Sequence, residues 1–388
     1  MISISNSKLQ FLILTVIYIT TISTVPAQNN YYPSKTWESK LASELSLNQN
    51  AIENVIRFAI ENEYSGSKDL RIAIYESFKS EPYIDILGPT KHRGAPTGLI
   101  IKNGYIVAQW GDLLRVDMTF SVTKSYLSTI YGLAQDQGLI GDVNEYVSNY
   151  VIDNTFDGKH NQSIKWKHLL NQSSDWSGML FGQHDWADRP PAKGGIDDWK
   201  FRELRKPGSE YEYNDVRVNV LAYSLLQVWR KPLPQVLKEH IMDPINASTT
   251  WRWNGYNNSW VTIDGLSIQS VSGGGHSGGG LFINTLDQAR FGYLFLRKGK
   301  WEEHQLISEN WIYEVQQPSE ANPDYGYLWW LNKGNRQMKG VPDNVFYASG
   351  FGGNYIVIDQ KNDLLIITRW LEPSKLGEFL ELIYKALD

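Results

Sequence analysis

Phe120-Ser121-Val122-Thr123-Lys124-Ser125 sets a hydroxyl and an amine three residues apart at the head of a helical pattern. Val122, Tyr126, Leu127, Ile130, Leu133 and Ala134 recur at helical spacing up to Gln137, and Gly138 supplies the stop. Residues i and i+3 share one helix face, so Ser121 and Lys124 can meet. A serine at a helix N-terminus also lies where backbone N–H groups favour developing negative charge. A lysine that serves as a base near neutral pH must be desolvated or flanked by cations, so a catalytic reading predicts that this end of the helix is partly buried. Taken alone, the same hexapeptide also reads as a serine N-cap followed by a surface lysine.

Outward from this helix, the chain alternates between strand and helix signals. Ile52, Val55, Ile56, Ala59 and Ile60 have the spacing of a helix with one buried face. Leu99-Ile100-Ile101 and Tyr105-Ile106-Val107-Ala108 flank Asn103-Gly104, the strongest short hairpin signal, because both turn residues tolerate positive φ. Between about 140 and 260, short helical patterns (Ile164 to Leu170, Val216 to Trp229) are separated by Gly, Pro, Ser and Asn. Strands return at Tyr327 to Leu331, Tyr355 to Ile358 and Leu364 to Thr368, with Lys361-Asn362-Asp363 as a turn, and a helix from Ser374 to Leu387 closes the chain. The predicted fold class is α+β: an antiparallel sheet built from N- and C-terminal segments and flanked by helices, with an inserted helical lobe over about 140–260 and a cleft between the two.

Composition limits the function. The 388 residues carry 37 basic and 42 acidic side chains, a balance with no field strong enough to hold nucleic acid. A small, neutral partner fits better, and nothing sets an oligomeric state. The absence of cysteine excludes disulfides, thiolate metal sites and a cysteine nucleophile. At the N-terminus, Lys8, the apolar run Phe11 to Val25 and Val25-Pro26-Ala27 read as a cleaved signal peptide over 1–27. An uncleaved anchor is the other reading of that run. A polar lead (28–45) and one large domain (46–388) follow. The mature chain is expected to be exported, periplasmic or secreted, with no stable membrane insertion.

Two further segments give the serine and lysine company. Pro207-Gly208-Ser209-Glu210-Tyr211-Glu212-Tyr213-Asn214-Asp215 and Ser349-Gly350-Phe351-Gly352-Gly353 follow Ser121 in order, the latter leading into a strand. With S-x-x-K they resemble the three motifs of the serine β-lactamase and penicillin-binding-protein superfamily, specifically the class C β-lactamase-related hydrolases and esterases. Ile164 to Ser174, Pro244-Ile245, and Gly278-Gly279-Gly280-Leu281 with Asp287 match landmarks of that family in the same order, so the resemblance runs from about 50 to 385.

The resemblance implies a β-lactamase/transpeptidase-like fold and acyl transfer without metal or organic cofactor. Ser121 would be the nucleophile, Lys124 and Tyr213 would move protons, and the backbone N–H groups of Ser121 and Phe351 would form the oxyanion hole. Asp215, Ser349, Gly350 and His276 would line the substrate. Two departures bear on specificity. Ala348 stands where β-lactamases carry a lysine or histidine, which removes a cation for a substrate carboxylate, and Asp215 stands where they usually carry Asn. Asn214 is the alternative amide for that role. Together these point to a neutral or cationic ester or small amide. The alternatives are a D-amino-acid peptidase or oligomeric amide hydrolase, a weak β-lactamase, and a non-turnover cell-envelope sensor. His184, Asp185 and Asp188 match no common metal spacing and read as a polar loop, while His168 reads as structural.

Overall fold

The computed structural model describes residues 30–387. The leader read at 1–27 lies outside them. The Asn103-Gly104 hairpin forms as its sequence dictates, with φ of 52° and 91° at the turn and antiparallel strands Thr97–Lys102 and Tyr105–Trp110 on either side. These two strands are one end of a seven-stranded antiparallel sheet. Its order runs Tyr325–Gly326, Trp329–Leu331, Phe346–Gly350, Asn354–Asp359, Leu364–Arg369, then Thr97–Lys102 and Tyr105–Trp110. N- and C-terminal segments therefore meet in the middle of one sheet, through the pairing of Thr97–Lys102 with Leu364–Arg369.

Successive side chains of a strand point to opposite faces, and here both faces are buried. Leu99, Ile101, Ile356, Ile358, Leu365 and Ile367 join the larger core, together with Phe291 and Leu294 of the helix Thr285–Leu296. Ile100, Val357, Leu364 and Ile366 join a second core with the helices Gln49–Glu61 and Leu376–Lys385. Burial on both sides is why Leu99 to Ile101 and Leu364 to Ile367 read as unbroken apolar runs. The helices Thr123–Asp136 and Asp215–Trp229 pack in the larger core, where nearly every residue of each is buried.

Two expectations about boundaries need correction. The helical lobe does not extend to 260, because Arg252–Ile263 and Leu266–Val271 form a hairpin of a second sheet that also holds Gly280–Ile283 and Asp117–Met118. Its turn is Asp264-Gly265, with φ of 53° and 79°, the same class of signal as Asn103-Gly104. Nor does the domain begin only at 46, since it takes in the lead from Tyr31 onward. Trp37 Nε1 donates to the Gly104 carbonyl at 2.8 Å, Ser39 bridges Ile106 in parallel, and Ala42 is fully buried. The sheet edge at Tyr105–Trp110 needs a cover, and this segment supplies it.

Candidate active site

Ser121 lies in a single 3-10 turn, Phe120–Val122, that leads into the helix Thr123–Asp136. Phe120 takes φ of 49°, a left-handed conformation that is costly for a bulky side chain. Its ring is held against Phe351 at 5.0 Å and Trp370 at 6.4 Å. The turn buries Phe120 and Val122 and leaves Ser121 between them partly exposed. Ser121 makes no capping bond to the helix, so its hydroxyl is not consumed as an N-cap. The second sheet fixes the turn from behind: Thr119 N–H donates to the Leu281 carbonyl at 2.9 Å, and Leu281 N–H donates to Thr123 Oγ1 at 3.1 Å.

Lys124 reaches back over one helical turn, and its Nζ stands 2.9 Å from Ser121 Oγ and 2.6 Å from Asp215 Oδ1. The lysine is 1% exposed, which meets the expectation of burial. Lys124 Nζ also lies 4.6 Å from the centroid of the Tyr213 ring. Burial pushes the Tyr213 phenol well above its ordinary value, and the Asp215 carboxylate adds to this; Arg189 and the nearby Ser121 hydroxyl oppose them. Tyr213 therefore holds its proton at rest. Gln172 pins the segment on both sides, its carbonyl accepting from Glu212 N–H at 2.9 Å and its Oε1 from Asn214 N–H at 2.8 Å.

Asn214 and Asp215 do not have the roles first assigned to them. Asn214 Oδ1 caps the helix Asp215–Trp229 through Arg217 N–H at 3.0 Å, and its amide donates to the Asp185 carbonyl at 2.7 Å. It is fully buried and committed to the scaffold. Asp215, 2% exposed, does not stand beside an acyl group but behind Lys124. Its second oxygen is 2.8 Å from Arg189. Burial alone would raise the Asp215 carboxyl, but Lys124, Arg189 and His276 outweigh it and hold it well below the usual carboxylate range. Gly274 makes room for the pair, since a Cβ there would fall 1.8 Å from Asp215 Oδ1 and 2.3 Å from Lys124 Nζ.

His276 also departs from expectation. It is 7% exposed, with Nε2 2.7 Å from Glu81 Oε2 and Nδ1 3.1 Å from Arg189, so both ring nitrogens are occupied. Burial opposes its protonation, but Asp188 and Glu81 prevail and raise its pKa. Behind the serine thus lies a chain of charges in which Arg189 joins Asp215, Asp188 (2.5 Å) and His276, and His276 joins Glu81. Arg189 and Glu81 escaped the sequence reading. Arg189 follows Asp188 in the loop read as polar cleft lining, whereas Glu81 carries no local signal. His184 and Asp185 sit apart from this cluster: His184 stacks on Trp186 at 5.0 Å, and Asp185 binds Arg202 and Arg217.

The third motif meets the serine from the end of the strand Phe346–Gly350. Gly350 ends its strand so close to the turn that a Cβ there would lie 2.2 Å from the Thr119 carbonyl oxygen and 3.3 Å from Ser121 N. Only glycine fits, and the main chain leading to Phe351 passes alongside Ser121. Ser349 is partly exposed and lies opposite Tyr355 on the neighbouring strand, whereas Ala348 is buried in the core. Tyr64, Phe78 and Phe351 form an aromatic wall, with ring centroids 5.6 and 5.9 Å from Phe351.

A family profile described as beta-lactamase matches residues 116–368, a span that includes Ser121, Lys124, Tyr213 and Phe351. The chain belongs to the beta-lactamase family. Its fold is shared with EstCE1, described as a hydrolase with promiscuous acyltransferase activity (15% identity, 87% of this chain and 97% of that one, TM-score 0.58). It is shared too with a family VIII carboxylesterase (17% identity, 75% and 92% covered, TM-score 0.55). A penicillin-binding-protein homologue from Caulobacter crescentus has the same fold (13% identity, 75% and 92% covered, TM-score 0.54). No curated protein matches the sequence.

Proposed function

We propose that this chain is a serine hydrolase that forms an acyl-enzyme at Ser121 from a carboxylic ester or small amide. The observation that carries the reading is the group at the mouth of the helix: a partly exposed Ser121 with buried Lys124 2.9 Å from its oxygen and the Tyr213 ring 4.6 Å from the same ammonium. Ser121 Oγ attacks the acyl carbon as its proton passes to the Tyr213 oxygen, Tyr213 in the same step gives its own proton to the leaving alkoxide or amine, and the Lys124 ammonium stabilises the negative charge that develops on the two oxygens. Water then attacks the acyl-enzyme, the proton path runs in reverse, and the acid is released. The N–H groups of Ser121 and Phe351 take the charge on the tetrahedral oxygen.

An ester or neutral amide is favoured by the uncharged Ala348 and by the aromatic wall of Tyr64, Phe78 and Phe351. The charge of Asp215 no longer argues for a cationic substrate, because Lys124 and Arg189 neutralise it. The carboxylesterase and hydrolase descriptions of two structural neighbours support the same choice. The basic-then-apolar leader at 1–27 supports export to the periplasm or medium. A fluorophosphonate probe is expected to label Ser121, mapped by peptide mass, and Ser121→Ala is expected to lower ester turnover by at least about 10⁴-fold. Undiminished hydrolysis in that variant, or an adduct elsewhere, overturns the assignment.

A further inference from the structure

On another part of the surface, and lined by none of Ser121, Lys124 or Tyr213, lies a cavity of about 620 Å³. Lys165, Lys167 and Lys206 stand around it, with His168 and Gly208 deeper in. Lys165 and Lys167 are half-buried, and none of the three lysines forms an ion pair with a carboxylate among the described residues. Lys165 rests over the Tyr146 ring at 5.3 Å. Glu320 is the one carboxylate lining the cavity. In a chain of net charge −5, gathering three unpaired cations at one concave place is unfavourable unless something negative offsets them.

The base of the cavity provides a directed donor. His168 is 9% exposed, and its Nδ1 accepts a hydrogen bond from Lys165 N–H at 3.1 Å. That contact fixes the tautomer, so Nε2 carries the proton. Gly208, with φ of 93°, lies over this nitrogen, and a Cβ at 208 would come within 3.0 Å of Nε2. Glycine at this position leaves the N–H uncovered towards the cavity. Burial and the charges of Lys167, Lys165 and Lys206 together keep the imidazole neutral, so it is a donor in a positive field and not a further charge.

We propose that this cavity binds a multivalent oxyanion, with His168 Nε2–H donating from its base and Lys165, Lys167 and Lys206 supplying the charge. The class comprises phosphate esters and polycarboxylates, which present several oxygens to several donors. One wall, Pro207-Gly208-Ser209, is the lead of the segment that ends in Tyr213, but the proposal uses none of Ser121, Lys124 or Tyr213 and so stands or falls independently of the hydrolase reading.

Calorimetric titration of the full protein with inorganic pyrophosphate and with citrate, at ionic strength matched by sodium chloride, tests the proposal. Saturable binding of either probe is expected, weakened at least about tenfold in Lys167→Gln/Lys206→Gln. The His168 ring resonances should shift on binding, with the imidazole titrating at higher pH in the complex. Preference for pyrophosphate identifies a phosphate ester as the ligand class, and preference for citrate a polycarboxylate. No saturable binding, binding that the double variant leaves intact, or unmoved His168 resonances overturns it. Unchanged ester turnover in the double variant would confirm that the fold is intact and the catalytic centre separate.

Discussion

At the scale of single residues, the chemistry depends on how the charge of Asp215 is divided. Its carboxylate sits between Lys124 at 2.6 Å and Arg189 at 2.8 Å. While Arg189 holds one oxygen, Lys124 Nζ can serve Ser121 as well as Asp215. Removing the guanidinium leaves Lys124 as the one cation within 3 Å of Asp215, with His276 3.9 Å away, and leaves Asp188 with only the more distant His276 as a cationic neighbour. Arg189→Met is therefore expected to lower kcat by about 10²-fold, with little change in KM. In an Asp215→Asn background the same substitution should cost less than about fivefold, because the charge that Arg189 balances is gone. Equal losses in both backgrounds would show that Arg189 acts by packing alone, and a rise in KM would show that it touches substrate. Ser121 and Lys124 were legible in the sequence because one helical turn joins them. The Arg189 network was not, because it is closed by contacts between distant segments, such as His276 with Glu81, which lie 195 residues apart.

Among the elements, the short helix Trp166–Leu170 carries the clearest pH signature. Burial and the neighbouring lysines lower the pKa of His168 to about 4, against about 6.5 in an unfolded chain. The unfolded state thus takes up the proton first as pH falls. The contribution of His168 is complete above about pH 6.5 and is lost on the way down to about 4, a change of about 3 kcal/mol. His276 acts in the opposite sense, since its raised pKa gives stability that is present at low pH and lost as pH rises through the folded-state value. The comparison must therefore be made within one background. Urea unfolding at pH 7.5 and 4.5 should show a pH-dependent loss in the wild type that His168→Gln largely removes, because the amide oxygen can still accept from Lys165 N–H. An identical pH dependence in the variant counts against this account. Element boundaries show why local signals mislead in part. Asn103-Gly104 and Asp264-Gly265 are equally good hairpin turns, yet in the strand Arg252–Ile263 the buried residues are Trp253, Gly255, Tyr256, Ser259 and Ile263, a broken alternation that hides the strand from a period-two reading.

For the whole molecule, the sheet is assembled from the two ends of the chain, and its last strand would be an open edge without the segment that precedes the domain as first drawn. Lys40 N–H donates to the Ile106 carbonyl at 3.0 Å, and Ile106 N–H donates to the Glu38 carbonyl at 3.0 Å. Arg290, from the helix Thr285–Leu296, holds the same segment through the Pro33 carbonyl at 3.1 Å. Polar composition made residues 28–45 read as a lead ahead of the domain, because main-chain bonding of this kind leaves no mark on the choice of side chains. Its removal would expose the hydrogen-bonding groups of Tyr105–Trp110, and an unpaired apolar edge recruits other strands. A chain that starts at Leu47 is expected to self-associate in sedimentation-velocity runs and to unfold at lower temperature than one that starts at Gln28. The catalytic turn at Phe120–Val122 is anchored by the opposite part of the sheet, at Gly350, and by the second sheet, at Leu281. The monomeric fraction of the shortened chain should accordingly still be labelled at Ser121. Loss of labelling in that fraction would mean that the edge and the active site fold as one cooperative unit.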